Sequence, residues 1–299
     1  MSKQGAAIVV HGGAGASIEY KDGCENAANA GARLLTHGAG ALDAVVGAVT
    51  VLEDDGRFNA GSGAQLGLDG QTIEMDASVM QSDGRQGAVA CITRVKNPVQ
   101  VARGVLDTPH CLLCGEGAQR LARVHGHGDY YHVTEKARLD YQEMLAKMDS
   151  GSQARPGVEN SEFIRLWNFP APPAFSARAC DTVGAVARDA GGHFAVAGST
   201  GGSAPALLGR VGDTALVGSG FYAGPLGAIA ATGIGEHIIR HLLAREVYQW
   251  LADGMPLDLA LQRGVDLFDK NIDIGLIGVS ADAVACRSNR DMPTARWQA

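Results

Sequence analysis

The sequence predicts an α/β protein in which strands and helices occur in both halves without alternating as regular βαβ units. Three observations lead to this fold class. Hydrophobic residues make up 46% of the 299 residues and charged residues 19%, which indicates a substantial core. Short apolar runs of strand length and longer stretches with helical periodicity both occur. Only 5% of the residues are aromatic and 41 are Gly, so the core must consist mainly of aliphatic side chains.

In the first half of the chain, an apolar run at residues 6–10 predicts a buried strand that ends in the turn His11-Gly12-Gly13. An amphipathic helix is predicted at 41–53 and a second strand at 88–96. Three more helices are predicted, at 98–106, 115–124 and 134–148.

Periodicity disappears between Asp149 and Arg178, where Gly, Ser and Pro dominate. An irregular segment of about 30 residues is uncommon within a compact chain unless it has a function. We therefore predict a flexible linker, which extends over residues 149–181.

Regular structure resumes abruptly at Thr182, where the apolar run 182–187 predicts a strand. A further strand is predicted at 194–198, and a run punctuated by Gly covers 207–223. Two helices at 234–252 and 256–270 and a closing hairpin at 274–287 complete the prediction.

The composition also limits the function classes. A formal net charge of −7 without a basic run makes nucleic acid and anionic membranes poor partners. The first residues show no secretory signal, and no apolar stretch reaches the roughly 18 residues of a membrane span. A cytoplasmic protein with reduced thiols is the expectation.

Two groups of residues invite a metal or redox interpretation. Cys111 and Cys114 have CxxC spacing, but no second pair follows, so we expect two small buried side chains at the end of an element. His125, His127 and His132 lie in a polar, Gly-rich turn, and we expect no ligand role for them.

A hydroxyl nucleophile needs a base beside it, and the sequence contains neither G-x-S-x-G nor a recognisable Ser/His/Asp set. A Thr at a chain N-terminus carries its own base, because its α-amine lies next to the side chain. A free α-amine has a pKa of about 7.7–8.0, so much of it is neutral near physiological pH. A cut between Asp181 and Thr182 would create such a residue, although the layout alone also fits an ordinary loop-to-strand transition.

Several short motifs surround this junction and carry a resemblance. They are Cys180-Asp-Thr-Val-Gly-Ala, Gly198-Ser-Thr-Gly-Gly, Gly209-Arg-Val-Gly-Asp and Ala231-Thr-Gly-Ile-Gly-Glu, with His11-Gly-Gly-Ala-Gly, Phe58-Asn-Ala-Gly and Met75-Asp-Ala-Ser upstream. In this order and at these spacings, the sequence resembles the plant-type asparaginase and isoaspartyl aminopeptidase family of N-terminal-nucleophile hydrolases, to which the glycosylasparaginases are related.

The resemblance implies a single domain, a four-layer αββα sandwich with two facing, mostly antiparallel sheets. It implies autocatalytic cleavage into subunits 1–181 and 182–299 and a homodimer of cleaved protomers. The implied reaction is hydrolysis of the side-chain amide of L-asparagine, of the isopeptide bond of β-aspartyl dipeptides, or of both, through a Thr-linked ester. No cofactor is expected for the chemistry.

The resemblance also assigns roles to single residues. Thr182 would be the nucleophile, with Thr200 beside it and Asn59 assisting from the other subunit. The Thr232 hydroxyl and the Gly233 N–H would form the oxyanion hole, in which each donor contributes about 2.7–4 kcal/mol. The alternative interpretation of Thr200 and Thr232 is strand propensity and helix capping.

Three further residues would bind the zwitterionic end of an aspartyl substrate. Arg210 would hold the α-carboxylate, since a guanidinium matches a carboxylate bidentately. Asp213 and Gly235, together with Gly233, would hold the α-ammonium group. A surface ion pair between Arg210 and Asp213 is the alternative.

The family also tends to bind sodium through backbone carbonyls of the loop after the first long helix. Carbonyl oxygens suit a hard cation. The matching positions are Leu52, Glu53, Asp55, Phe58, Ala60 and Ser62. An ordinary helix end and turn is the alternative.

Two departures from the family pattern leave the leaving group open. Asp181 stands where the asparaginase branch usually has Gly, and Ser203-Ala-Pro-Ala replaces a segment that usually contains a Lys. A glycosylasparaginase is therefore one alternative. A non-catalytic ligand-binding protein that never matures is another, although no nucleotide-binding glycine motif is present.

Overall fold

The structure, a computed structural model, describes residues 5–150, 159–170 and 182–299. Of the predicted cleavage bond, only Thr182 lies within these ranges, and Asp181 lies outside them. Most of the predicted linker is also outside the described residues.

The strands form two sheets, as predicted. A seven-stranded sheet has the order β11-β1-β5-β6-β2-β3-β4, and a four-stranded sheet has the order β10-β9-β8-β7. All neighbours are antiparallel except β3 and β4, which are parallel. The strands are β1 Ala7–His11, β2 Met75–Gln81, β3 Gln86–Ile92, β4 Leu112–Cys114, β5 Thr182–Arg188, β6 Phe194–Thr200, β7 Phe221–Gly224, β8 Gly227–Gly233, β9 Ile274–Ser280, β10 Val284–Ser288 and β11 Thr294–Gln298.

Helices cover the outer face of each sheet. The described helices are α1 Lys21–Thr36, α2 Ala41–Asp54, α3 Pro98–Val105, α4 Gly115–Val124, α5 Glu135–Asp149, α6 Asn160–Arg165, α7 Gly235–His241, α8 Leu243–Ala252 and α9 Leu257–Val265. Helices α1, α2 and α3 pack on the larger sheet, and α7, α8 and α9 pack on the smaller one. The result is the four-layer αββα sandwich expected from the resemblance. None of the described helices has the length and apolar character needed to cross a membrane.

The core consists of one layer between the sheets and one under each set of helices. Because strand side chains alternate between faces, Val183 and Ala185 of β5 contact the helices, whereas Val186 lies between the sheets. The layer between the sheets is apolar through most of its extent, with Val9, Val196 and Ile277 among its members. This alternation fixes which side chains can meet in the interior of the sandwich.

Some predicted bounds need correction. The strand predicted at 88–96 ends at Ile92, because Cys91 and Arg94 have φ of 48° and 59°. The helix predicted at 234–252 is two helices, because Leu242 has φ of 47° between them. The predicted linker contains α6, whose Phe163 is buried in a small cluster with Met144 and Met148.

Candidate active site

Hydroxyl and carboxyl side chains replace the apolar ones at one end of the layer between the sheets. Alternation along β5 directs Thr182, like Val186, toward the smaller sheet. Thr200 occupies the equivalent face of β6, two positions beyond Gly198, and Thr232 continues the inward face that Ala228 and Ala230 form on β8. Three strands that are distant in sequence therefore present hydroxyl groups to one another.

The pairing register brings these residues to the same level. Thr182 and Thr200 are direct cross-strand partners, and Thr200 is the partner of Asp76 on β2. From the facing sheet, the Thr232 hydroxyl donates to the Thr182 carbonyl over 3.4 Å and accepts from the Ala14 N–H at 3.3 Å. Thr182 is 8% exposed, so the expected nucleophile lies at the edge of the interior.

Thr232 does not act as a helix cap. Helix α7 begins at Gly235, its N-cap residue is Ile234, and no side chain caps it. Thr232 is a fully buried residue of β8. The capping interpretation is therefore wrong for Thr232, and its hydroxyl is directed at Thr182 instead.

Asn59 braces the loop that follows Thr200. Its side-chain amide donates to the Gly202 carbonyl at 2.8 Å and accepts from the Gln65 N–H at 3.2 Å. Its main-chain carbonyl accepts from the Gly201 N–H at 2.9 Å. Asn59 thus contacts the backbone of residues 201–202, which follow Thr200, from the other side of the predicted cleavage site.

Gly233 directly follows Thr232 at the end of β8. Its φ is 141°, and a Cβ at this position would lie 2.1 Å from the Asp273 carbonyl oxygen. Only glycine fits such a close approach between neighbouring strands.

Arg210, Asp213 and Gly235 lie together, as the resemblance implies. A Cβ on Gly235 would lie 2.7 Å from an Arg210 guanidinium nitrogen and 2.8 Å from Asp213 Oδ1. Arg210 makes a bidentate ion pair with Glu236, with both distances at 3.0 Å, and not with Asp213. The surface ion-pair interpretation is therefore wrong, since Asp213 is 3% exposed and the partner is a different residue.

Asp213 is a carboxylate in a poorly solvated place. Its Oδ2 has no hydrogen-bond partner among the described residues. Burial raises the pKa of Asp213 to about 7, although the nearby Arg210 charge acts in the opposite direction. An incoming cation would compensate this carboxylate, which suits it to bind an ammonium group.

Asp76 and Glu236 were quoted within motifs but received no role from the sequence. Asp76 accepts the N–H groups of Cys91 at 2.9 Å and Gly212 at 3.0 Å, and it thereby fixes the loop between Arg210 and Asp213. Burial raises its pKa. The available signal for Asp76 was an acidic residue inside a mostly apolar strand-like run.

An open cleft adjoins this group of side chains and leaves about 40 Å³ in which the centre of a water molecule can lie. Arg210, Asp76 and Gly202 are among its lining residues, and Glu74 and Phe169 stand on its wall. Thr182, Thr200 and Thr232 are not among its lining residues, so the cleft borders the site on the side of Arg210 and Asp76.

Within the described ranges, no three His, Cys, Asp or Glu side chains lie close enough to hold a metal ion. Cys111 precedes the edge strand β4 and Cys114 is its last residue; both are exposed, so the prediction that they are buried is wrong. An edge strand that packs on one side only leaves its ends open to solvent.

The carbonyl groups proposed for sodium belong to the end of α2 and the turn after it. Within this turn, the carbonyls of Asp55, Phe58 and Ala60 accept N–H groups at 3.1, 2.9 and 3.0 Å. Each carbonyl oxygen retains a second lone pair, so the hard oxygen donors that a sodium ion needs are compatible with this turn.

Comparison with known proteins matches these observations. The family model described as asparaginase matches residues 4–297. The plant-type L-asparaginase of Pyrococcus abyssi is 39% identical over 282 residues, covering 91% of this chain and 88% of that protein. The isoaspartyl peptidase/L-asparaginase of Mus musculus is 36% identical over 304 residues, covering 96% and 86%. The protein of the same name from Bos taurus is 40% identical over 266 residues, covering 85% and 79%.

Proposed function

The chain belongs to the asparaginase family, and we propose that it is an autocleaving amidohydrolase that acts on the side-chain amide of L-asparagine, on the isopeptide bond of β-aspartyl dipeptides, or on both. One observation carries this proposal. The Thr182, Thr200 and Thr232 residues of three strands converge at the start of β5, beside a buried carboxylate and a guanidinium.

The proposed nucleophile is created by cleavage of the Asp181–Thr182 bond. The freed α-amine of Thr182 then becomes the base for its own hydroxyl. With a pKa of about 7.7–8.0, this amine is substantially neutral near physiological pH, so no histidine is needed. The mature enzyme consists of residues 1–181 and residues 182–299.

In the proposed reaction, the Thr182 oxygen attacks the side-chain carbonyl carbon of the substrate, and the Thr182 amine accepts the hydroxyl proton. The Thr232 hydroxyl and the Gly233 N–H stabilise the resulting oxyanion. Collapse of the intermediate breaks the C–N bond, and the leaving amine takes the proton from the Thr182 ammonium group. Water then attacks the β-aspartyl ester while the Thr182 amine accepts its proton; the acyl–oxygen bond breaks, the proton passes to the Thr182 oxygen, and aspartate is released.

Substrate recognition rests on charges of opposite sign at short spacing. Arg210 binds the α-carboxylate while Glu236 fixes the orientation of its guanidinium plane. Asp213 binds the α-ammonium group. The positive charge of this group compensates a carboxylate that is buried away from solvent. Gly235 leaves the space between these side chains in which the α-carbon substituents of the substrate fit.

Three further features belong to the proposal. A sodium ion held by the carbonyls of Leu52, Glu53, Asp55, Phe58, Ala60 and Ser62 would stabilise the turn that carries Asn59. The cleaved protomers are proposed to pair as a homodimer, as the resemblance implies. A cytoplasmic location is proposed on the ground of the reduced thiols that the sequence favours.

A comparison of three substrates tests this function. The purified protein is assayed with L-asparagine, β-aspartyl-leucine and a glycosylated asparagine under the same conditions. We expect turnover of asparagine, of the dipeptide, or of both, and a lower kcat/KM for the glycosylated substrate. Preference for the glycosylated asparagine would favour the glycosylasparaginase alternative. An intact single chain without turnover of any of the three would favour a binding protein.

A further inference from the structure

Directly behind Thr182, the larger sheet presents an unusual row of residues to its neighbour. His11, Gly184, Gly198 and Ser78 are successive cross-strand partners on β1, β5, β6 and β2. They lie one level deeper than Thr182 on the same face, because side chains of a strand repeat every second residue. The two glycines leave a gap between two polar side chains.

Side chains lean over this gap from both sides: the His11 imidazole lies over Gly184, and the Thr214 methyl group lies over Gly198. A Cβ on Gly184 would lie 2.5 Å from His11 Nε2, so the imidazole occupies the space above Gly184. A Cβ on Gly198 would lie 3.5 Å from Thr214 Cγ2, so the Thr214 side chain stands above the neighbouring glycine.

The gap is part of a small cavity between the two sheets. It is lined by His11, Thr182, Gly184, Gly198 and Thr214, among others, and it leaves about 10 Å³ in which the centre of a water molecule can lie. A space of roughly that size is the minimum that holds one water. The cavity is thus matched to a single small polar molecule.

The Ser78 hydroxyl in the cavity lining donates to the Thr214 carbonyl at 2.6 Å, but other buried polar atoms of the lining lack partners among the described residues. Neither ring nitrogen of His11 makes a hydrogen bond of normal geometry, and the Thr214 hydroxyl also makes none. His11 is fully buried. Buried polar groups of this kind normally form hydrogen bonds with the protein or with ordered water. The cavity has room for one water molecule and contains polar groups that can bind it.

The imidazole is also well placed to act on Thr182. Burial lowers the pKa of His11 to about 3, while the nearby Thr182 carbonyl favours a ring N–H and acts in the opposite direction. A neutral imidazole has one donor and one acceptor nitrogen. A neutral His11 can therefore donate from one nitrogen toward the Thr182 carbonyl and accept a hydrogen bond from the cavity through the other.

We propose that this cavity binds one buried water, held by His11 and Thr214, and that His11 acts through this assembly as a positioning residue for Thr182. The inference rests on the proposed function, because it assigns a role in placing the nucleophile of that reaction. The water donates to the free nitrogen of His11 and accepts from the Thr214 hydroxyl. His11 then holds the main chain of the residue whose amine and hydroxyl must meet the substrate.

A high-resolution crystal structure of the whole protein tests the water directly. We expect density for one water within hydrogen-bonding distance of a His11 ring nitrogen and of Thr214 Oγ1. An empty cavity at a resolution that shows other buried waters would overturn the proposal, whatever the activity of the enzyme.

Substitutions test the positioning role, with rates expressed per mole of chain that begins at Thr182. His11→Leu removes both nitrogens, and Gly184→Ala drives a methyl group against the imidazole. We expect each to lower kcat by about tenfold or more with KM changed less than about twofold, because the nucleophile shifts while the binding groups stay in place. His11→Gln, which keeps a donor and an acceptor, should recover part of the loss. A variant that fails to mature while Val10→Ala matures normally supports the same role.

Val10→Ala is the matched control. Val10 is the buried neighbour of His11, but it belongs to the core layer under the helices and does not line the cavity. It reports what a loss of packing on β1 does to activity. If Val10→Ala and His11→Leu reduce kcat equally, or if His11→Leu raises KM alone, His11 is a structural residue and the inference is wrong. In either case, turnover by the unmodified protein keeps the proposed function intact.

Discussion

At the scale of single residues, the site depends on ionisable side chains that are largely shielded from water. Asp213 and Asp76 are buried carboxylates with raised pKa values, and Arg210 has one ion-pair partner in Glu236. Such perturbed groups cluster where proteins bind or transform ligands. Two predictions follow from the particular partners of Arg210 and Asp213.

Arg210→Lys tests the carboxylate-binding role. A lysine keeps the positive charge, but it lacks the planar fork that can bind Glu236 and a substrate carboxylate together. We expect kcat/KM for asparagine to fall by about 100-fold or more, which corresponds to the roughly 3 kcal/mol of a charged, bidentate contact. The measurement is steady-state kinetics with asparagine and with an analogue that lacks the α-carboxylate. Equal losses on the two substrates would make Arg210 a structural residue.

Asp213→Asn tests the electrostatic cost of the binding site. The ordinary pKa of the carboxyl is 3.8, and in the folded protein it is about 7. Between these values the folded state binds more protons than the unfolded state, so the free energy of unfolding falls as pH rises through this window. We therefore expect the variant to be more stable than the parent at pH 8, on the order of 1–3 kcal/mol, and to lose activity.

The measurement for Asp213→Asn is denaturant unfolding of both proteins from about pH 4 to pH 8. The stability gain should shrink toward acid pH, where Asp213 is protonated in both states. Asp107→Asn serves as the control, since Asp107 is exposed and pairs only loosely with Arg103 at 3.8 Å. Its stability change should stay within about 0.5 kcal/mol at every pH. A gain for Asp213→Asn that does not depend on pH would contradict the account.

At the scale of elements, continuous apolar runs and clear periodicity allowed correct predictions. The strand beginning at Thr182 and the helix at 115–124 match β5 and α4. Helix α1 was not predicted, because its buried face consists of small residues such as Gly23, Ala27 and Gly31, which give little hydrophobic contrast. The break at Leu242 was not predicted either, because a non-glycine residue with positive φ leaves no clear trace in a sequence.

The residues and contacts of the site likewise divide into those that the sequence predicted and those that it did not. The three threonines and the pair Arg210 and Asp213 were found because the motifs that carry them resemble those of a family. The contacts between motifs could not be predicted from local pattern. The Asp76 carboxylate accepts a hydrogen bond from the N–H of Gly212, which is 136 positions away in the sequence. Arg210 forms an ion pair with Glu236, although Asp213 is nearer in the sequence. Both contacts depend on sheet register and loop geometry.

At the scale of the whole molecule, the two predicted fragments are interleaved in one sheet. Strands β1 and β2 belong to residues 1–181, and they flank the pair β5 and β6 from residues 182–299. Strand β11, also from the second fragment, covers the other side of β1. Cleavage before Thr182 would leave these ladders and the shared core intact, so the fragments should remain associated after the chain is cut.

The position of β5 also explains how a new N-terminus can be held in place. Thr182 begins an inner strand: Thr182 itself pairs with Thr200 of β6, and the pairing with β1 begins at Gly184. A terminus on an edge or in a loop would fray, whereas an inner strand fixes the backbone up to its first residues. The amine and the hydroxyl of Thr182 would therefore be pre-organised against Thr200 and Thr232.

The central claim is that the chain is cut before Thr182 and that this residue is the nucleophile. The most direct measurement is N-terminal sequencing and intact mass of the purified protein and of Thr182→Ala, with ammonia release from asparagine assayed over a day. We predict two co-purifying fragments for the parent, the smaller beginning Thr-Val-Gly-Ala. Thr182→Ala should fold, as judged by circular dichroism, stay a single chain and release no ammonia above background. An active parent with one intact chain, or turnover near the parent rate by Thr182→Ala, would contradict the account.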